Sequence, residues 1–199
     1  MTRERRRRSR QQDFLAVAAE LFAERGYAGT SVDDVGGRLG VSGPAVYWHF
    51  ASKEALLTEM LSGISDRLFA GGARCVAAAS DGHDALASLV AWQVRFALEH
   101  PELITVHARD LAHVPERDRR RIRRTQRLYV EQWVEALGEV APAAPMELRR
   151  TATHAAIGLI NSTPYLDAGL DRGATEALLC TMALGALYVG VGASLPDAT

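Results

Sequence analysis

Apolar residues recur along this chain at helical rather than strand spacing. Phe14, Val17, Ala18, Leu21 and Phe22 fall at i, i+3, i+4, i+7 and i+8, which makes one apolar stripe on a helix that stops at Arg25-Gly26. Ser9-Arg10-Gln11-Gln12 has the form of a capping box, so this first helix is expected to start there. Val32, Val35 and Leu39 supply the buried face of a short second helix. Thr30 and Ser31 are competent N-caps for it, and Asp33 and Asp34 lie in its first turn, where the helix dipole favours carboxylates. Gly40-Val41 then turns the chain. Ser42 caps a third short helix running through Tyr47-Trp48-His49-Phe50, with Pro44 in its first turn, where a missing N–H costs little.

Beyond Ser52, the apolar set Leu56, Leu57, Met60, Leu61, Ile64 and Leu68 predicts a long helix. Asp81 can cap the next, over 84–99, and Pro101 opens another over 101–113. Pro115 interrupts, 116–139 reads as one long helix, 141–145 as an Ala-Pro loop, and 146–162 and 171–194 as two final helices. The fold class is all-α, with about nine helices and no strand pattern or internal repeat.

Two short helices joined by a tight glycine-containing turn form a helix-turn-helix pattern, whose second helix enters the DNA major groove. The charge distribution agrees. The whole chain of 199 residues carries a net charge of −1, yet residues 1–55 hold nine basic and seven acidic side chains. Arg3, Arg5, Arg6, Arg7, Arg8 and Arg10 are opposed in the first ten positions only by Glu4, which predicts a flexible cationic arm able to displace counterions from a polyanion; a solubilising leader is the plainer reading. Cys75 and Cys180 are the only cysteines, so there is no disulfide framework and no zinc cluster, and a reducing cytoplasm is the expected compartment. No apolar stretch follows the arginines within the first dozen residues, so no secretory leader is expected.

The run Gly26-Tyr27, Thr30-Ser31-Val32-Asp33-Asp34-Val35, Leu39-Gly40-Val41-Ser42, Val46-Tyr47-Trp48-His49-Phe50 and Ser52-Lys53-Glu54-Ala55-Leu56 resembles the DNA-binding head of TetR-family transcriptional regulators. The resemblance covers roughly residues 9–60. It implies a three-helix DNA-binding domain over 1–51 and a larger helical effector-binding and dimerisation domain over 52–199. It implies that Thr30 and Ser31 at the start of the second helix, with Tyr47, His49 and Lys53, clasp phosphates, and that Ser42, Gly43, Pro44, Ala45 and Tyr47 face base edges. Lys53 is the single lysine beside twenty-two arginines. Trp48 is a further candidate contact, with core packing its plainer reading, as for Phe50. Where relatives often carry a long amide or a hydroxyl, this chain has Gly43 and Ala45, which make no bidentate base contacts. Specificity is therefore expected to lean on methyl contacts from Pro44 and Ala45, on Ser42 and Tyr47, and on the arginine arm, including Arg5 to Arg8, in a narrow minor groove.

For an effector, aromatic walls with a few polar groups single out Trp92, Phe96, Ile104, His107, Arg109, Tyr129, Trp133, Asn161 and Tyr165; each taken alone is also an ordinary core residue. Seven arginines (Arg117, Arg119, Arg120, Arg121, Arg123, Arg124 and Arg127) read as a solvated helix start or as a site for an anionic ligand such as the phosphates of a coenzyme A thioester. His107, Asp110 and His113 drift around a helix without an i, i+4 pair, so no metal is expected. No GxSxG, paired Glu-x-x-His, glycine-rich phosphate loop or cysteine with an evident base occurs, so neither catalytic residues nor a cofactor are expected and the chain is not read as an enzyme. Residues 177–195 carry no charge, long enough for a membrane span but equally suited to close helix packing. The resemblance implies a homodimer in which the last two helices of each subunit pair.

The expected function is a ligand-responsive regulator, a repressor that binds a palindromic operator and is released by a small hydrophobic or acyl-CoA-like effector. An effector-independent or membrane-tethered DNA-binding protein is the alternative.

Overall fold

Helix α1 (Arg3–Arg25) begins well ahead of Ser9 in the computed structural model, which describes residues 3–166 and 169–194. The expected capping box is not where the helix starts, and the arginine segment is helical rather than a flexible arm. The physical reason is propensity: Arg, Glu and Gln are good helix formers, no Gly or Pro interrupts, and extending an existing helix costs far less than nucleating one. The apolar stripe is as expected, with Phe14, Ala18, Leu21 and Phe22 buried. Gly26, at φ 81°, ends the helix, its N–H donating to the Phe22 carbonyl at 2.9 Å.

The chain divides into two compact units, residues 1–64 with 102–122, and residues 65–101 with 123–199. The expected boundary at 51/52 falls inside the first of these. In that unit, α2 (Val32–Arg38) and α3 (Gly43–Tyr47) follow α1. Ser31 caps α2 through a complete capping box: the Asp34 N–H donates to Ser31 Oγ at 3.1 Å, and the Ser31 N–H donates to Asp34 Oδ2 at 2.7 Å. The turn into α3 is tight because Gly36 has no side chain. A Cβ there would lie 2.9 Å from the Val41 carbonyl oxygen and 3.2 Å from the Ser42 carbonyl group.

The stretch 102–122 completes the unit with most of α6 (Pro101–Asp110), a 3-10 turn (Leu111–His113) and the start of α7 (Glu116–Val140). Arg109 ties it to α1: its guanidinium donates to the carbonyls of Phe22 and Ala23 at the C-terminal end of that helix, where a cation is favoured. The nearly buried Asp110 carboxylate holds the same guanidinium at 3.0 Å. The His113 ring stacks on Tyr27, with centroids 4.7 Å apart.

The second unit holds the later part of α4 (Lys53–Ala78), α5 (Gly82–Glu99), most of α7, α8 (Met146–Ile160) and α9 (Arg172–Gly190). Asp81 and Asp171 cap α5 and α9 by accepting the N–H of Asp84 and Ala174, each at 2.9 Å. Gly71 and Gly72 open a notch in α4. A Cβ on Gly71 would overlap the Trp92 ring, and one on Gly72 would lie 2.8 Å from the Tyr129 ring, so α5 and α7 place their aromatic residues against bare backbone. On α9, Leu179, Ala183, Leu187 and Tyr188 are buried, while Leu178, Met182 and Val189 are exposed. This helix has the length and apolarity to cross a membrane, and 22% of that stretch is buried within the chain.

Candidate nucleic-acid interface

The second helix of the helix-turn-helix is too short to form alone and is held by packing. Val46 and, after it, Phe50 are buried against the core of the first unit, which leaves Ser42, Pro44, Tyr47 and Trp48 on the outside. Phe50 is 3% exposed, whereas Trp48, for which core packing was the plainer reading, is 82% exposed and Tyr47 53%. Two adjacent aromatic residues left this bare at the end of α3 make no contribution to the core. Burial of either requires something outside the chain.

Gly43 and Ala45 sit differently from their neighbours. Gly43 is buried, and the Asp33 carboxylate occupies the space a Cβ would take; Ala45 is half-buried. The base-edge set expected from the resemblance therefore separates into an outward group, Ser42, Pro44 and Tyr47, and an inward pair.

The phosphate-clasping set separates too. Ser31 is exposed at the α2 N-terminus, but Thr30 is 2% exposed and its hydroxyl donates to the Leu21 and Gly26 carbonyls at 3.1 and 3.0 Å. Lys53 Nζ donates to the Tyr27 carbonyl at 2.7 Å and the Thr30 carbonyl at 2.9 Å, and lies 4.2 Å from the centre of the Tyr27 ring. In this structure its ammonium closes the loop between α1 and α2. Lys53→Met keeps the stem and removes those donors, so we expect a loss of about 1–2 kcal/mol in unfolding free energy, the cost of leaving two partly buried carbonyls without their donor. Urea denaturation measures it; unchanged stability with weakened DNA binding would make Lys53 a phosphate contact alone.

His49 packs against Phe14, with ring centroids 5.2 Å apart, and its Nδ1 is buried without a partner. Burial, then the guanidinium charges of Arg7 and Arg10, push its pKa below the ordinary histidine value. The imidazole is therefore neutral near pH 7. Arg5, Arg7, Arg8 and Arg10 are exposed along the first turns of α1; Arg6 is in the same helix, its side chain outside the described residues.

The nine effector candidates are divided between the two units. Trp92, Phe96, Tyr129, Trp133 and Asn161 belong to the second unit; Ile104, His107 and Arg109 belong to the first; Tyr165 is 81% exposed on a 3-10 turn (Thr163–Tyr165). Ile104 is buried, burial lowers the pKa of His107, and Arg109 spends its guanidinium on α1. In the second unit the Tyr129 hydroxyl donates to Gln93 Oε1 at 2.9 Å, and Gln93 Nε2 donates to Asn161 Oδ1 at 2.9 Å. Sequence reasoning missed Gln93, a fully buried amide in the apolar stripe Leu86, Leu89, Val90, Val94 and Ala97; that one polar position in the stripe was the available signal. Trp92 Nε1 and Thr153 Oγ1 are buried in the same unit without hydrogen-bond partners. Among the described residues, no three His, Cys, Asp or Glu side chains gather to hold a metal.

Residues 14–60 match the family described as bacterial regulatory proteins, tetR family. The HTH-type transcriptional repressor KstR2 of Rhodococcus jostii is 40% identical over 81 residues, 41% of this chain and 40% of that protein. The HTH-type transcriptional activator FasR of Mycolicibacterium smegmatis is 33% identical over 84 residues, 42% of this chain and 38% of that protein. The chain thus spans well under half the length of these relatives. A TetR-family regulator from Bordetella parapertussis shares the fold with TM-score 0.80 at 23% identity, over 94% of this chain and 98% of that one.

Proposed function

From a head that matches the tetR family over residues 14–60 and a fold shared with a TetR-family regulator, we propose that this chain is a TetR-family regulator with the function of a cytoplasmic transcriptional repressor that binds a palindromic operator as a homodimer. The observation that carries this reading is the bare outer face of α3, with Tyr47 and Trp48 exposed beside Ser42 and Pro44 while Val46 and Phe50 anchor the helix from behind. That face reads base edges and thymine methyl groups in the major groove, and the α2 N-terminus at Ser31 and the arginines of α1 hold the phosphates. In this reading Thr30 and Lys53 are positioning residues, which fix the loop that orients α2.

Homodimer formation assigns the exposed apolar residues of α9, together with Leu148 on α8, to a pairing surface. A two-fold pair presents two copies of α3 to successive major grooves, one helical turn apart. A small hydrophobic or acyl-CoA-like effector releases the operator by binding better to a form in which those two helices are mis-spaced; only that difference in affinity drives release. Supporting an effector site in the second unit are the Tyr129–Gln93–Asn161 hydrogen-bond chain and the unpartnered, buried Trp92 Nε1 and Thr153 Oγ1. Nothing in this reading calls for a catalytic residue or a cofactor.

Fluorescence anisotropy with fragments of the promoters next to the chain's own gene tests the assignment. One fragment is expected to bind in preference to a scrambled duplex, and Trp48→Ala to weaken it at least tenfold, the scale of a lost base contact worth about 1–3 kcal/mol. Equal binding to every fragment would overturn it.

A further inference from the structure

Helices α7 and α8 flank an open groove of about 590 Å³ in the second unit. Arg123, Arg127 and Glu131 follow one another at i, i+4 and i+8, forming one row on α7; Arg150 and His154 form a facing i, i+4 row on α8, and Val130 adds an apolar patch. The groove holds three guanidiniums and one carboxylate, and that carboxylate is occupied: Arg150 Nη2 lies 2.7 Å from Glu131 Oε1. Among the described residues, Arg123 and Arg127 take part in no ion pair. Two like charges one turn apart disfavour the bare helix slightly, so the pair gains from an anion that bridges them. Guanidiniums present planar, paired donors that match phosphate oxygens, and the volume is that of a site for a nucleotide-sized molecule.

We propose that this groove binds a small molecule bearing a phosphate or diphosphate group, with its anionic oxygens on Arg123 and Arg127 and an apolar portion against Val130. The site is independent of the operator reading, since none of its residues belongs to the helix-turn-helix.

Inorganic pyrophosphate, titrated calorimetrically into the full chain at about 150 mM salt, where exposed charges are largely screened, tests the proposal. Saturable binding of one pyrophosphate per chain is expected. Arg123→Gln with Arg127→Gln is expected to weaken it at least tenfold, about 1.4 kcal/mol. Arg121→Gln with Arg124→Gln removes the same charge from the same exposed helix outside the groove and is expected to leave binding unchanged. Thermal melts verify that both variants fold. Absence of saturation, or equal losses in the two variants, would overturn the site. So would a random-sequence duplex whose binding falls in the groove variant as pyrophosphate binding does, which would make the face a nucleic-acid surface. Failure of the promoter experiment has no bearing on this titration, so the two readings stand or fall separately.

Discussion

Gly36→Ala is expected to destabilise the first unit by about 1–3 kcal/mol, the usual cost of overpacking a close-packed site, and to abolish sequence-preferring DNA binding. Gly37→Ala, one position on, is expected to do neither. The added methyl at position 36 lies 2.9 Å from the Val41 carbonyl oxygen and 3.2 Å from the Ser42 carbonyl group, all of it backbone with no side chain free to swing away. The turn must open, and since Ser42 is the N-cap of α3, that helix turns with it. At Gly37 a Cβ would meet nothing within 4 Å, and the position is an exposed helical one, where alanine gains about 0.5–1 kcal/mol over glycine. Urea denaturation and promoter-fragment anisotropy on the two variants separate the cases. If both lose DNA binding alike, the close approach of α2 to the turn is not what positions α3.

Leu178→Glu with Met182→Glu is expected to convert a dimer into monomers and to lower operator affinity at least a hundredfold. Leu178, Met182, Gly185 and Val189 follow at intervals of four, three and four residues, a continuous stripe along α9, and Leu178, Met182 and Val189 are 46%, 48% and 75% exposed in the single chain. Charge on such a stripe costs the monomer little, because those side chains already face water, but paired subunits would have to bury it unpaired. Linking two heads raises operator avidity by about 10²–10⁴ over one head, and that factor disappears with the pairing. Sedimentation and anisotropy on the same sample measure both quantities. A variant that stays dimeric would move the pairing surface elsewhere.

The helix pattern was legible because long apolar stripes and caps act locally. Asp81 and Ser31 cap as their residue types allow, Ser42 stands at the N-cap of α3 without a side-chain capping bond, and Gly26 and Gly40 turn the chain where the pattern breaks. What was not legible was the choice among partners of equal chemistry. An ammonium donates as well to a carbonyl as to a phosphate, so the residue type of Lys53 suits either, and it is the Tyr27 and Thr30 carbonyls that lie within reach. Thr30 has the same ambiguity, and Arg109 looked like a ligand group because nothing in the sequence relates it to a helix end more than eighty residues earlier. Trp48 is the converse case. It lies two residues before the buried Phe50, both beyond the end of α3 at Tyr47, and residue type alone does not decide which of two aromatic side chains so close together turns inward.

Because α1 is one unbroken helix from Arg3, its arginine-rich end behaves as a lever rather than a tether. The backbone at Arg3 stands about 16 Å along the axis from Phe14, at 1.5 Å per residue, while Phe14 is locked in the core. A tilt of about 10° at that fulcrum swings the tip by roughly 3 Å, about the length of a hydrogen bond. The cationic tip therefore moves as a body with the globule beneath it, and small rotations there are magnified at the end of the rod.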